Sequence, residues 1–203
     1  MTQAQTGEYT AKDIQVLEGL EAVRVRPGMY IGSTDQRGLH HLIYEILDNA
    51  VDEAMAGYCE RVDISISEDG WITVVDNGRG IPIDKHEKTG KSALETVMTT
   101  LHAGGKFGGG AYKVTGGLHG VGGSVVNALS SDLRAEVRRQ GWMYSQEYVR
   151  GKPTGNLAKG DKTTEHGTTI SFKPDQEIFP VIEYDFDLLI SHFKEIAYLN
   201  KGL

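Results

Sequence analysis

The sequence predicts an α/β protein, a two-layer sandwich in which helices cover one face of a mixed, mainly antiparallel sheet. Two observations point there. Strand patterns come in neighbouring runs suited to hairpins, and helical patterns are grouped between them instead of alternating strictly with strands, which disfavours a doubly wound parallel sheet. With 203 residues and 39% hydrophobic content the chain can bury one substantial core. Residues 13–203 are read as that domain, and the polar, patternless residues 1–12 as an N-terminal arm.

In "IQVLEGLEAVRVRPGMYIG" the apolar Val16, Leu17, Leu20 and Val23 keep helical spacing until Pro27 and Gly28 stop it. A long helix is expected from about Gly38 to Gly57, with Leu39, Leu42, Ile43, Ile46, Val51 and Met55 as its buried stripe and Gly57 as its C-terminal cap. "RVDISIS" and "WITVVD" alternate about the turn Glu68, Asp69 and Gly70, the pattern of a hairpin. After the loop "NGRGIPIDKHEKTGK", Ser92 and Glu95 have capping-box spacing for a helix running to about His102. "VGGSVVNALS" returns to helical spacing, and "RAEVRRQ", "WMYSQEYVR" and "GTTISFKP" read as three further strands. A closing helix is expected from about Asp187 to Leu199.

Composition excludes several classes. A net charge of -7 argues against a chain that grips nucleic acid over its whole surface, since neutralising phosphates needs clustered Lys and Arg. No run of eighteen apolar residues occurs, and "MTQAQTGEYTAKD" lacks the basic start and apolar stretch of a secretory signal, so a cytoplasmic setting without membrane contact is expected. The single cysteine, Cys59, cannot close an internal disulfide, which fits a reducing compartment.

The 26 glycines are nearly twice the roughly 7% share of average chains, and they cluster between Gly104 and Gly123. In "GGLHGVGGSVVNALS", Gly117, Gly120 and Gly122 precede a helical run, the form of a loop whose amides converge on an anion. Glycine spacing alone serves a surface turn equally well. Two familiar phosphate cradles are absent: Thr89-Gly90-Lys91-Ser92 follows Lys85 where a P-loop needs its first glycine, and no G-x-G-x-x-G sits at a strand-to-helix junction. "EILDNAVDEA" loads the long helix with carboxylates. His41, Glu45, Asn49 and Asp52 rise along one side of it, a face that either is merely solvated or lines a site.

Glu45 and Asn49 on a helix, "VVDNGRGIP" leaving a strand into a glycine turn, and "GGLHGVG" opening a later helix resemble, in that order, the ATP-binding motifs of the gyrase, Hsp90, histidine kinase and MutL superfamily, whose fold is the Bergerat ATP-binding sandwich. "AVRVRPGMYIGST", "GLHHLIYEILDNAVDEAMAGY", "LHAGGKFGGGAYKVTGGLHGVGGSVVNALS" and "GTTISF" narrow the resemblance to the N-terminal ATPase domains of bacterial gyrase B proteins, with the corresponding ATPase protein of topoisomerase IV close behind, over residues 9–203. The resemblance implies an ATP-dependent type II DNA topoisomerase in which nucleotide closes a protein gate around DNA for negative supercoiling. The alternatives are the ATPase protein of a decatenating topoisomerase IV, a protein kinase of the same superfamily, and a non-catalytic, nucleotide-gated dimerisation module.

The same resemblance implies the roles of single residues. Glu45 is the general base for the attacking water, His41 orients it, and Asn49 binds Mg2+. Asp76 accepts a hydrogen bond from the adenine amino group, with Thr168 assisting through water. Gly78 and Gly80 let the chain pass close to the base, beside an apolar wall of Ile81 and Pro82. Arg79 pairs with Glu53 at the mouth, and Arg139 completes the rim that coumarin antibiotics bind in the family. The stretch from Ala103 to Gly117 is a lid carrying Lys106 and Lys113 toward the phosphates and Tyr112 toward the adenine. Amides around Leu118, His119, Gly120, Val121 and Gly122 hold the γ-phosphate. Tyr9 reaches the ATP of a second copy, which links nucleotide binding to pairing. Family proteins continue into transducer and metal-binding regions, through which they work with the gyrase A protein and DNA. A chain ending at Leu203 is expected to bind ATP or ADP with Mg2+ but to hydrolyse weakly, without the transducer lysine.

Overall fold

The computed structural model describes residues 17–103 and 121–203. Along the chain come α1 (Gly19–Val25), α2 (Gly28–Ile31), α3 (Gln36–Met55), β1 (Val62–Ile66), β2 (Ile72–Asp76), α4 (Ala93–Thr99) and α5 (Gly122–Ala128). They are followed by β3 (Ser130–Arg139), β4 (Trp142–Val149), β5 (Lys152–Pro153), β6 (Ala158–Lys162), β7 (Gly167–Pro174) and α6 (Phe186–Leu199). The sheet runs β1-β2-β7-β3-β4-β5 with β6 also on β4, and every ladder between these strands is antiparallel. The last strand in the chain thus fills the middle of the sheet and joins the β1–β2 hairpin to β3 and β4.

The register explains why helices cover only one face. Ile72 pairs with Phe172 and Phe172 with Leu133, while Val74 pairs with Ile170 and Ile170 with Ala135. All six are buried on the helical side with the stripe of α3. The alternate positions Thr73, Ser171 and Arg134 line the other, polar face, where the Thr73 and Ser171 hydroxyls meet at 2.9 Å.

α3 begins two residues before Gly38, because the Asp35 carboxylate caps it by accepting from the Arg37 amide. Leu39, Leu42, Ile43, Ile46 and Val51 are buried as expected, and Gly57 follows the C-cap at φ +82°. Met55 is 43% exposed, against expectation, because the last turn runs past the edge of the core. Ser92 caps α4 by accepting from the Glu95 amide at 3.0 Å. The Glu95 side chain does not return the bond: it accepts from Gln146 and pairs with Lys91. α4 ends at Thr99, short of His102, which sits at φ 61°.

Three elements have no sequence signal. α2 is a single turn set off by Pro27, the residue read as a stop. β5 has two residues, and β6, "AKGDK", is exposed at every position, so neither shows an alternating apolar face. β3 begins at Ser130, four residues before the predicted Arg134, because α5 already stops at Ala128. The Ala128 carbonyl accepts from Arg24 Nη1 at 2.8 Å, which ties α1 to that helix end.

Arg24 also reaches Asp175, just beyond β7. This residue is 2% exposed, and its carboxylate receives Arg24 Nη2 at 2.7 Å and Arg150 Nε at 3.0 Å. Burial pushes the Asp175 carboxyl up, but the Glu177 amide and the two guanidinium groups outweigh it and hold it below the usual range. Its stabilising contribution is present above the ordinary aspartate range and is lost as pH falls through the lowered folded value. Asp175→Ala should therefore cost about 1–2 kcal/mol in urea unfolding at neutral pH, and the difference from wild type should shrink in strong acid.

Candidate functional site

α3 brings its polar face into two separate contacts. At the first, His41 Nε2 lies 3.0 Å from Glu45 Oε1, one turn along the helix, with the side chains 40% and 27% exposed. The hydrogen bond to Glu45 raises the His41 pKa above its ordinary value against the opposing effect of burial, with further help from the charges of Glu45 and Asp48. The carboxylate lies directly on the first turn of α5, where a Cβ at Gly122 would overlap Glu45 Oε2. Val121 is the N-cap of α5, and Asn49 stands exposed one turn beyond Glu45. Asp52, expected on the same open face, is instead fully buried.

At the second contact, two turns on, Glu53 meets the turn that follows β2. Its Oε2 accepts from the Arg79 amide at 3.0 Å and from Arg79 Nε at 3.1 Å, and its Oε1 accepts from Arg79 Nη2 at 2.7 Å. The expected ion pair is thus bidentate, with a backbone bond added. The guanidinium lies 3.9 Å from the centre of the Tyr58 ring. Arg139, at the end of β3, donates from Nη1 to the Gly80 carbonyl at 2.8 Å. Ile81 is half-buried against the core, and Pro82 is exposed.

Asp76 ends β2 beside the start of β7. Its Oδ1 accepts from the Gly78 amide at 2.8 Å and from the Thr168 amide at 3.2 Å. Burial pushes the Asp76 carboxyl up, and these two amides temper the rise. The Thr168 hydroxyl accepts from the Ile81 amide at 3.3 Å. A Cβ at Gly78 would come within 2.9 Å of Asp76 Oδ1 and 3.0 Å of Glu53 Oε2, so a side chain there would press on both carboxylates.

Glu45 and Gly122 thus meet at one point along α3, and Glu53, Asp76, Gly78, Arg79, Arg139 and Thr168 gather at the other, with Asn49 exposed between them. Tyr9, Lys106, Tyr112, Lys113, Leu118, His119 and Gly120 lie outside the described residues, as does the lid beyond Ala103. Tyr58 and His166 carry no signal of their own in the sequence. His166 Nδ1 lies 2.8 Å from the Gly78 carbonyl, and only the β2–β7 register, invisible to local pattern, brings the two together. Among the described residues, no group of three or more His, Cys, Asp or Glu could hold a metal ion, and no helix is long and apolar enough to cross a membrane.

An antiparallel sheet with one helical layer, and an acidic helix touching both a strand-exit turn and a second helix start, is the arrangement of a nucleotide-binding ATPase domain. The chain belongs to the histidine kinase-, DNA gyrase B- and HSP90-like ATPase family, whose family model matches residues 34–178. It is 61% identical over 200 residues to the DNA gyrase B protein of Synechocystis sp., a match covering 98% of this chain and 19% of that protein. With the DNA gyrase B protein of Halalkalibacterium halodurans it shares 58% identity over 204 residues, covering 100% of this chain and 32% of that protein. With that of Clostridium acetobutylicum it shares 58% over 195 residues, covering 96% and 31%. The chain spans between about a fifth and a third of the length of these relatives.

The His41–Glu45 bond has a pH signature. A histidine whose folded pKa is raised adds stability that is fully present below its unfolded value and is lost as pH rises through the folded value. The destabilisation caused by His41→Ala in denaturant unfolding should accordingly be larger at pH 6 than at pH 9. A difference that is the same at both, or larger in alkali, would show that the bond to Glu45 does not hold the imidazolium.

Proposed function

We propose that the chain binds ATP with Mg2+ along α3 and hydrolyses it, as the nucleotide-driven part of a gyrase B-type topoisomerase. The placement of α3 carries this reading. Glu45 lies against the first turn of α5 and Glu53 against the turn after β2. Eight residues of helix separate them, about 12 Å along the axis, which is of the order of the length of a nucleoside triphosphate.

At the β2 end, Asp76 Oδ1 is taken by two amides. This leaves Oδ2 to accept the adenine amino group, with Thr168 beside it, Gly78 and Gly80 close to the base, Ile81 and Pro82 as the apolar wall, and Arg79 and Arg139 at the rim. At the α5 end, His41 engages Oε1 of Glu45, so that Oε2 faces the helix start where the terminal phosphoryl group would lie. There Glu45 would take a proton from water as its oxygen bonds to the γ-phosphorus and the bond to the β-phosphate oxygen breaks. Amides of Leu118, His119, Gly120, Val121 and Gly122 would hold the phosphoryl oxygens, and Lys106, Lys113 and Tyr112 would close over the nucleotide.

Magnesium takes few protein ligands and keeps most of its waters. Exposed Asn49, one turn beyond Glu45, suits that demand with its amide oxygen. Bound there, the ion would supply positive charge to offset that of the phosphates. For the longer protein we propose pairing with a second copy on ATP binding, through the arm and Tyr9, together with the gyrase A protein and DNA as partners, in the cytoplasm. The gyrase B relatives favour negative supercoiling over decatenation or kinase activity.

Two substitutions separate the ends of the site. In Asp76→Asn the amide oxygen should keep the two backbone bonds, turning its NH2 toward the adenine amino group, donor against donor. Affinity for a non-hydrolysable ATP analogue should fall at least about tenfold by calorimetry; undiminished affinity removes the adenine assignment. Glu45→Gln should leave that affinity near wild type while lowering phosphate release about a hundredfold or more. Unchanged turnover would instead support a non-catalytic gating module.

A further inference from the structure

We infer that His166 is a positioning residue for base recognition, acting through the peptide that joins Gly78 to Arg79. The inference rests on the reading that Asp76 receives the adenine amino group. A carbonyl oxygen can only accept, so the hydrogen lies on Nδ1 and is donated to Gly78 O at 2.8 Å. The amide nitrogen of the same planar peptide donates to Glu53 Oε2 at 3.0 Å. One peptide is therefore pinned at both polar atoms, by α3 on one side and by the approach to β7 on the other. The next amide back, Gly78 N, is one of the two donors that orient Asp76 Oδ1. Release of the carbonyl would free one end of the 78–79 peptide, and with it the Gly78 Cα that also carries the amide facing Asp76, so that this amide is held less firmly against the carboxylate.

The neighbouring residue shows that this approach is built in. Gly167 sits at φ +127°, in the region that favours glycine, and a Cβ there would overlap the Asp76 carbonyl. The segment before β7 can therefore lie directly on the end of β2, which puts the His166 ring within reach of the turn. Glu165, next to it, extends toward Arg138 Nε at 3.8 Å, and Arg138 Nη1 donates to the Thr169 hydroxyl at 3.0 Å. His166 itself is exposed, so its removal leaves no buried cavity. Its effect should be read in the orientation of Asp76 and hardly at all in stability.

The test compares ADP with purine riboside 5′-diphosphate, which lacks the 6-amino group, by calorimetric titration of the 203-residue chain with Mg2+. The wild type should prefer ADP by about tenfold, the worth of one charge-assisted hydrogen bond. His166→Ala should reduce the preference to about two- to threefold, chiefly by weakening ADP, while binding of the riboside stays near wild type. His166→Asn, whose amide nitrogen can take the place of Nδ1, should restore most of the preference. An unchanged preference in His166→Ala, or equal weakening of both nucleotides, overturns the inference. A wild type with no preference overturns the reading of Asp76 itself.

Discussion

Two missing side chains decide how closely the acidic helix can approach the backbone around it. At Gly122 the Glu45 carboxylate occupies the space a Cβ would fill, and at Gly78 the carboxylates of Glu53 and Asp76 do the same. Carboxylates so close to backbone need donors, and the turn after β2 supplies them through the amides of Gly78 and Arg79. A bulkier residue at either point would have to displace these carboxylates from the places they now occupy. Both ends of the proposed nucleotide site depend on that contact.

The sheet serves this arrangement through its order more than through its size. Because β7 inserts between β2 and β3, the chain near residue 167 arrives beside the end of β2, and Thr168 and His166 fall against Asp76 and the glycine turn. The same insertion puts Arg139, at the end of β3, within reach of Gly80. The turn is thus held from α3, β3 and β7 together. Such long-range pairing fixes a loop that carries few ladder bonds of its own.

Periodic elements were legible in the sequence because they bury one face. The β1–β2 hairpin and α3 show it, while the cap at Ser92 and the glycine after α3 were legible from local backbone chemistry. β6 was not legible, since a strand exposed at every position leaves no alternation to find. Met55 was misplaced because spacing gives the direction of a side chain but not where the core ends, and Asp52 because helical phase alone does not show what packs over the last turns. Of the candidate site, the motif residues are those the resemblance names. Tyr58 and His166 were not, because their contacts depend on register and on a turn whose course no local pattern records.

The central claim, one nucleotide lying along α3 with its phosphates at Glu45 and its base at Asp76, is tested most directly by paramagnetic NMR. The isotope-labelled chain would be titrated with a non-hydrolysable ATP analogue carrying Mn2+ in place of Mg2+. A nucleotide so placed predicts the strongest line broadening at the amides of Glu45, Asn49 and Gly122, shifts with weaker broadening at Gly78 and Thr168, and little change at Thr73, Ser171 and Arg134 on the outer sheet face. Broadening centred on Asp76, or on the outer face, would contradict it.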